Sequence, residues 1–174
     1  MEYLLAFIAA ILFYCSLKIL NKITKLGLSD SDRKLKNGKQ QLKMAAKGGY
    51  KAQALLNNDE KNVYRIIQNV ISNTSLHCFS QVSCGEFLTH KSSKKFHSTI
   101  NSKRVDFCIC NKHFKPVAVI EYQGSGHDLS SDSSLRDSVK RLACENAGIK
   151  FIEVFPNDDW NKIITKELRS IPSN

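Results

Sequence analysis

Apolar and polar positions change rhythm along this chain, and each rhythm predicts a different element. Residues 3–17 (YLLAFIAAILFYCSL) are uncharged without a break, and Ile19 and Leu20 extend the run to 18 residues around a single charge, Lys18. Residues 21–57 lose that character: Lys, Asn, Gln, Gly and Ser dominate, and the one helical stretch, near residues 42–56, is interrupted by Gly48 and Gly49. From residue 58 the pattern is that of a folded domain. Val63, Ile66, Ile67, Val70 and Ile71 recur at i, i+3, i+4, i+7 and i+8, which predicts a helix over residues 59–72 with one buried stripe. Residues 76–82 predict a strand, and an irregular basic stretch follows over 86–104. VDFCIC (105–110) and VAVIEY (117–122) predict two strands joined by a turn. Residues 134–147 predict a second helix, with Leu135, Val139, Leu142 and Ala143 inward and Gly148 ending it. Residues 151–155 predict a last strand, and Asp158 is placed to cap a closing helix that buries Trp160, Ile163, Ile164 and Leu168. The order α-β-β-β-α-β-α describes one α/β domain, a mixed sheet flanked by helices.

A helix over the 18-residue apolar run rises about 27 Å, enough for a thin hydrocarbon core. Lys18 lies within one turn of its end, where its stem reaches the headgroups. A cleaved signal fits less well, because Glu2 stands where Lys or Arg is wanted and no small-x-small site follows the run. Bulky Phe13 and Tyr14 before Cys15 count against a lipoprotein signal. A buried or interfacial helix is the other alternative. The reading is a transmembrane anchor over residues 1–20, a flexible basic tether over 21–57 and the domain over 58–174.

Charge follows the same division. The formal charge of +10 comes from 26 basic and 16 acidic residues, and residues 18–51 hold ten of the basic ones against Asp30 and Asp32. A surplus placed there implies a single pass through the inner, cytoplasmic membrane, N-terminus out and domain in the cytoplasm. The tether's charge suits anionic lipid, and nucleic acid is its alternative partner. Residues 52–174 carry 16 basic and 13 acidic residues, so the domain itself is nearly balanced. A length of 174 residues with 42% hydrophobic content allows one domain plus an appendage and excludes wholesale disorder, collagen and a disulfide miniprotein. The six cysteines (Cys15, Cys78, Cys84, Cys108, Cys110, Cys144) lack paired CxxC spacing, so they read as reduced thiols packed on strands rather than as a zinc site.

Two acids stand inside the apolar strands: Asp106 between Val105 and Phe107, and Glu121 between Ile120 and Tyr122. A loop over residues 111–116 sets Cys110 opposite Val117 and therefore Asp106 opposite Glu121, with Cβ atoms about 5 Å apart. Facing carboxylates repel each other, so a cation is expected between them, and hard oxygen ligands in a half-open site suit Mg²⁺ or Mn²⁺. Gln123 shares the side of Glu121, where it can orient a water, and the Tyr122 carbonyl is available as a third ligand. The plainer alternative is a pair of strand-end acids that solvate an edge or bridge to a lysine.

The helix, the strand, VDFCIC, IEYQGSGHD and the RDSVK helix ending in AGIKFIEV together resemble the PD-(D/E)xK nuclease superfamily, with its restriction-endonuclease-like fold. The likeness is closest to the branch near very short patch repair endonucleases, including the bacterial domain of unknown function 2726. It covers about residues 55–156. In that family the Asp and the Glu hold the metal, which implies metal-ligand roles for Asp106 and Glu121. The first helix often bears an acid near its start, matched by Glu60. Gln123 stands where Lys is common, so either water activation falls to Lys140, one turn beyond Asp137, or activity is lost.

The resemblance implies phosphodiester hydrolysis, with DNA ahead of RNA as substrate. His127, past Gly124 and Gly126, is a candidate acid for the leaving oxygen or a phosphate contact. Arg136 with Asp137 reads as a helix-surface pair. Lys91, Lys94, Lys95, Lys103 and Arg104 form a basic run without an acid that leads into the Asp106 strand, which suits a polyanionic backbone. Phe96 and Ile100, spaced i and i+4, are expected to pin a short helix there. The expectation is a membrane-anchored, Mg²⁺- or Mn²⁺-dependent nuclease. The alternative is a catalytically silent module that binds nucleic acid or a protein partner.

Overall fold

The computed structural model describes residues 2–26, 30–90, 94–124 and 131–171, and omits the side chains of 2–6, 8, 9, 23–26, 94–97 and 131–134. The chain divides into two compact units, Met1–Ala52 and Gln53–Asn174.

The first unit is helical. α1 (Glu2–Leu26) carries the apolar run as one unbroken helix, and its described side chains, Phe7, Leu12, Phe13 and Tyr14 among them, are exposed. Among the described residues no helix is long and apolar enough to cross a membrane, and part of the run lies outside the described side chains. The stretch expected to be a tether holds α2 (Asp30–Ala46), 17 residues long, so its helix lies earlier than residues 42–56. Asp30 and Asp32 sit in its first turn and Lys43 in its last, each complementing the helix dipole. Gly48 and Gly49, both at positive φ, lie just past its end.

The second unit is built on a four-stranded sheet in the order β1-β2-β3-β4. β1 (His77–Ser83), β2 (Arg104–Cys110) and β3 (Pro116–Tyr122) form an antiparallel meander, and β4 (Lys150–Val154) pairs parallel with β3. A parallel partner requires a crossover, supplied by α6 (Ser131–Asn146). α3 (Asn58–Ile71) and α7 (Trp160–Arg169) cover one face, packing Val63, Ile67, Ile164 and Leu168 against Phe107, Ile109, Ile120 and Val154. On the other face Cys108, Cys110 and Val119 meet Cys84, Leu88, Ile100 and Cys144. α4 (Cys84–Phe87), which the sequence pattern does not resolve, and α5 (Lys94–Asn101), the short helix expected around Phe96 and Ile100, supply part of that second layer. Ile100 is buried there as expected; the side chain of Phe96 lies outside the described residues.

Several expectations are corrected by the contacts. The β2–β3 pairing runs as predicted from Phe107↔Ile120 to Ile109↔Ala118, then shifts so that Cys110 meets Pro116 instead of Val117. Asn111 tightens the turn, its Oδ1 accepting from the main-chain N–H of His113 and Lys115, and this draws Pro116 into the strand. Asp159, not Asp158, caps α7, accepting from the Lys162 N–H at 3.0 Å. Asp158 is spent one turn earlier, on the Phe155 N–H at 2.8 Å. The largest correction concerns α6: Leu135 and Leu142 are 63% and 58% exposed, while Lys140 and Cys144 are the buried ones among the described side chains of that helix. Its inward face is chosen by an ion pair rather than by its leucines.

Candidate active site

Each cleft residue is brought in by a different feature of the local chain. Glu60 stands in the first turn of α3 because of a reciprocal capping box: its Oε2 accepts from the Asn57 N–H at 2.7 Å, and Asn57 Oδ1 accepts from the Glu60 N–H at 2.9 Å. Such a box stabilises a helix start by about 1 kcal/mol. Tyr122 ties the same turn to the sheet, its hydroxyl donating to Asp59 Oδ2 at 2.9 Å.

Asp106 lies one residue beyond the last ladder pair, Phe107↔Ile120. Its Oδ2 accepts from the Tyr122 N–H at 2.9 Å, so the carboxylate serves the backbone where the main-chain ladder stops. Its Oδ1 takes a long bond, 3.4 Å, from Gln81 Nε2. Gln81 sits at φ 57°, and it faces Asp106 across a β1–β2 register that stays constant on either side of the pair.

Glu121 is buried, and the cation it finds is Lys140. Lys140 Nζ lies 2.8 Å from Glu121 Oε1 and 3.0 Å from Asp137 Oδ1, and it reaches the Arg104 carbonyl at 3.5 Å. Burial pushes the Glu121 carboxyl up to about 7, against the pull of Lys140 and helped by the Asp106 charge. For Lys140 burial works downward, but Glu121 and Asp137 outweigh it and the ammonium is held above its ordinary value. Lys140 is therefore a fixed cation at neutral pH, unsuited to accept a proton.

Gln123 Nε2 donates to Glu153 Oε1 at 3.3 Å. Glu153 is the parallel neighbour of Glu121 and is ion-paired with Arg141 of α6, whose guanidinium lies over the Phe151 ring.

Glu60, Asp106, Glu121, Gln123 and Lys140 line one open cleft of about 360 Å³, with Asn57, Arg104, Tyr122, Gly124 and Asp137. The other members of the basic run are placed differently. Lys103 turns back onto α5, its Nζ donating to the Thr99 carbonyl at 2.8 Å. Lys91 and His127 lie outside the described residues, as do the side chains of Lys94 and Lys95, whose backbone is in α5. Two contributors escape a reading of the sequence. Asp137, taken there for half of a surface pair, clamps Lys140, and the only signal was its i−3 spacing to that lysine. Gln81 carries no signal, because a positive φ at a residue other than glycine is not written in residue type.

Among the described residues no group of three or more His, Cys, Asp or Glu side chains is arranged to hold a metal. The chain's own offer is two carboxylates, Asp106 and Glu121. A Mg²⁺ ion that keeps its waters and takes phosphate oxygens needs only one or two, so the donor set fits such an ion.

The fold and cleft define a small α/β domain whose crossover helix delivers a lysine to an acid at the end of a mixed sheet. The chain belongs to the family described as protein of unknown function (DUF2726), which matches residues 52–168. It is 37% identical over 168 residues to an uncharacterized protein of Haemophilus influenzae, covering 90% of this chain and 87% of that one. It is also 35% identical over 107 residues to the uncharacterized protein y4bI of Sinorhizobium fredii, covering 60% of this chain and 76% of the relative. No solved structure matches.

Proposed function

We propose that the domain is a metal-dependent nuclease of the PD-(D/E)xK kind, held at the cytoplasmic face of the membrane by α1. The supporting observation is the meeting of Glu60, Asp106, Glu121, Gln123 and Lys140, from α3, β2, the end of β3 and α6, in one open cleft. Asp106 and Glu121 are the residues that would hold Mg²⁺ or Mn²⁺; such an ion polarises a phosphate and lowers the pKa of a bound water. Lys140, kept charged by Glu121 and Asp137, orients those carboxylates. Arg104 adds a second cation at the rim, suited to a phosphate backbone. Gln123 can place a water by hydrogen bonding once it leaves Glu153. The anchor is supported by the uncharged run itself and by its continuity as one helix with exposed apolar side chains.

A second reading has its own observation. Lys140 neutralises Glu121 directly and Gln123 is tied to Glu153, an arrangement that also serves a silent module binding nucleic acid. Residues 53–174 incubated with DNA and with RNA in Mg²⁺ or Mn²⁺ distinguish the two. Cleavage lost in Asp106→Ala and in Glu121→Ala, by about 10²-fold or more, supports the enzyme. Binding of nucleic acid without cleavage under any of these metals supports the silent module and overturns the first reading.

A further inference from the structure

We infer that α2 is a lipid-surface helix, lying in the headgroup plane of an anionic bilayer. At 100° per residue, Leu35 and Leu42 fall on one line, and Gly38, Ala45 and Ala46 lie beside them. Leu35 and Leu42 are 59% and 71% exposed, and α2 has no buried residue. Lys39 and Lys43 border the stripe on one side and Lys34 on the other, with Lys36 and Arg33 further round; Met44 falls outside the stripe. This is a strongly polar helix with a thin apolar line and lysines along its border. Their long stems can lie along acyl chains while the ammonium groups stay among phosphates.

The occupant is argued from charge and from position. Five basic residues in α2 face only Asp30 and Asp32, complementary to anionic headgroups. A stripe of two leucines among Gly and Ala offers too little apolar surface for a protein groove, but it suffices for shallow burial at an interface. The uncharged run of α1 ends at Leu17, ahead of α2, which begins at Asp30. None of these residues belongs to the cleft, so the inference survives if the nuclease reading fails.

Hydrogen exchange of the full chain in lipid nanodiscs tests it. Discs of phosphatidylcholine alone are compared with discs containing about 30 mol% phosphatidylglycerol. The amides of residues 30–46 are expected to exchange about tenfold more slowly in the anionic discs, and the difference is expected to vanish in Leu35→Gln/Leu42→Gln. Those substitutions touch no core, so the rest of the exchange pattern reports that the fold is kept. Equal exchange in both lipids overturns the inference. Protection that persists in the double variant also overturns it, since charge alone would then suffice. The same protection produced by duplex DNA with neutral discs would reassign the surface to nucleic acid.

Discussion

Glu121 and Lys140 have to be considered together, because each is buried with the other as its closest partner. Their side chains are 6% and 10% exposed at 2.8 Å separation. Burial of either ion alone is expensive, and removing one partner of such a pair costs about 3–5 kcal/mol, mostly because the survivor is stranded. Lys140→Met is therefore expected to lower the stability of residues 53–174 by about that amount. Adding Glu121→Gln to the same chain should return most of the loss, because no buried charge is then left over. Asp137, which also loses its partner, is more exposed and contributes less. Urea unfolding of the wild-type, single and double variants measures this as a coupling energy. A cost below about 1 kcal/mol for Lys140→Met would mean that Glu121 does not need the ammonium to stay in the fold.

The elements show which parts of the structure can be read from residue pattern and which cannot. β2 and β3 were legible because burial on both faces leaves near-continuous apolar runs, and three of their pairs follow from the loop bounds that those runs imply. The shift at Ile109/Cys110 was not legible, because it is set by Asn111 gathering the turn's N–H groups. α6 misled for a different reason: a helical period ranks faces by hydrophobicity, and this helix buries the face that carries a lysine. Leu135 and Leu142 stand outside the core, so Leu135→Gln and Leu142→Gln should each change stability by less than about 0.5 kcal/mol. Had they packed inward, each would cost several times more, and a thermal or urea melt separates the two cases. The same blindness hid Asp137, since a charged helix residue reads as solvated until its partner is known. α2 escaped because a polar, Gly-containing segment resembles a tether in composition, and only its regular stripe distinguishes it.

At the scale of the molecule, both cores and the cleft lie within Gln53–Asn174, so that part is expected to fold without the first unit. Its stability should carry an alkaline signature from the thiols, all of which are free. Burial pushes Cys84 up to about 11 and Cys144 up to about 12 from an ordinary 9.0. Both are fully buried between the sheet and the helices of its second face. A folded-state value above the unfolded one means that the fold holds protons the unfolded chain gives up. The thiols' contribution is therefore complete below pH 9 and is lost as pH rises through 11 and 12. In that window each thiol is expected to cost about 1.4 kcal/mol per pH unit. Urea unfolding of residues 53–174 between pH 8 and 10.5 should show this decline, and Cys84→Ala/Cys144→Ala should show a shallower one. The comparison of slopes removes the lysine and tyrosine titrations common to both chains. Identical slopes would mean that these thiols ionise inside the fold, and the second core would then be open to water.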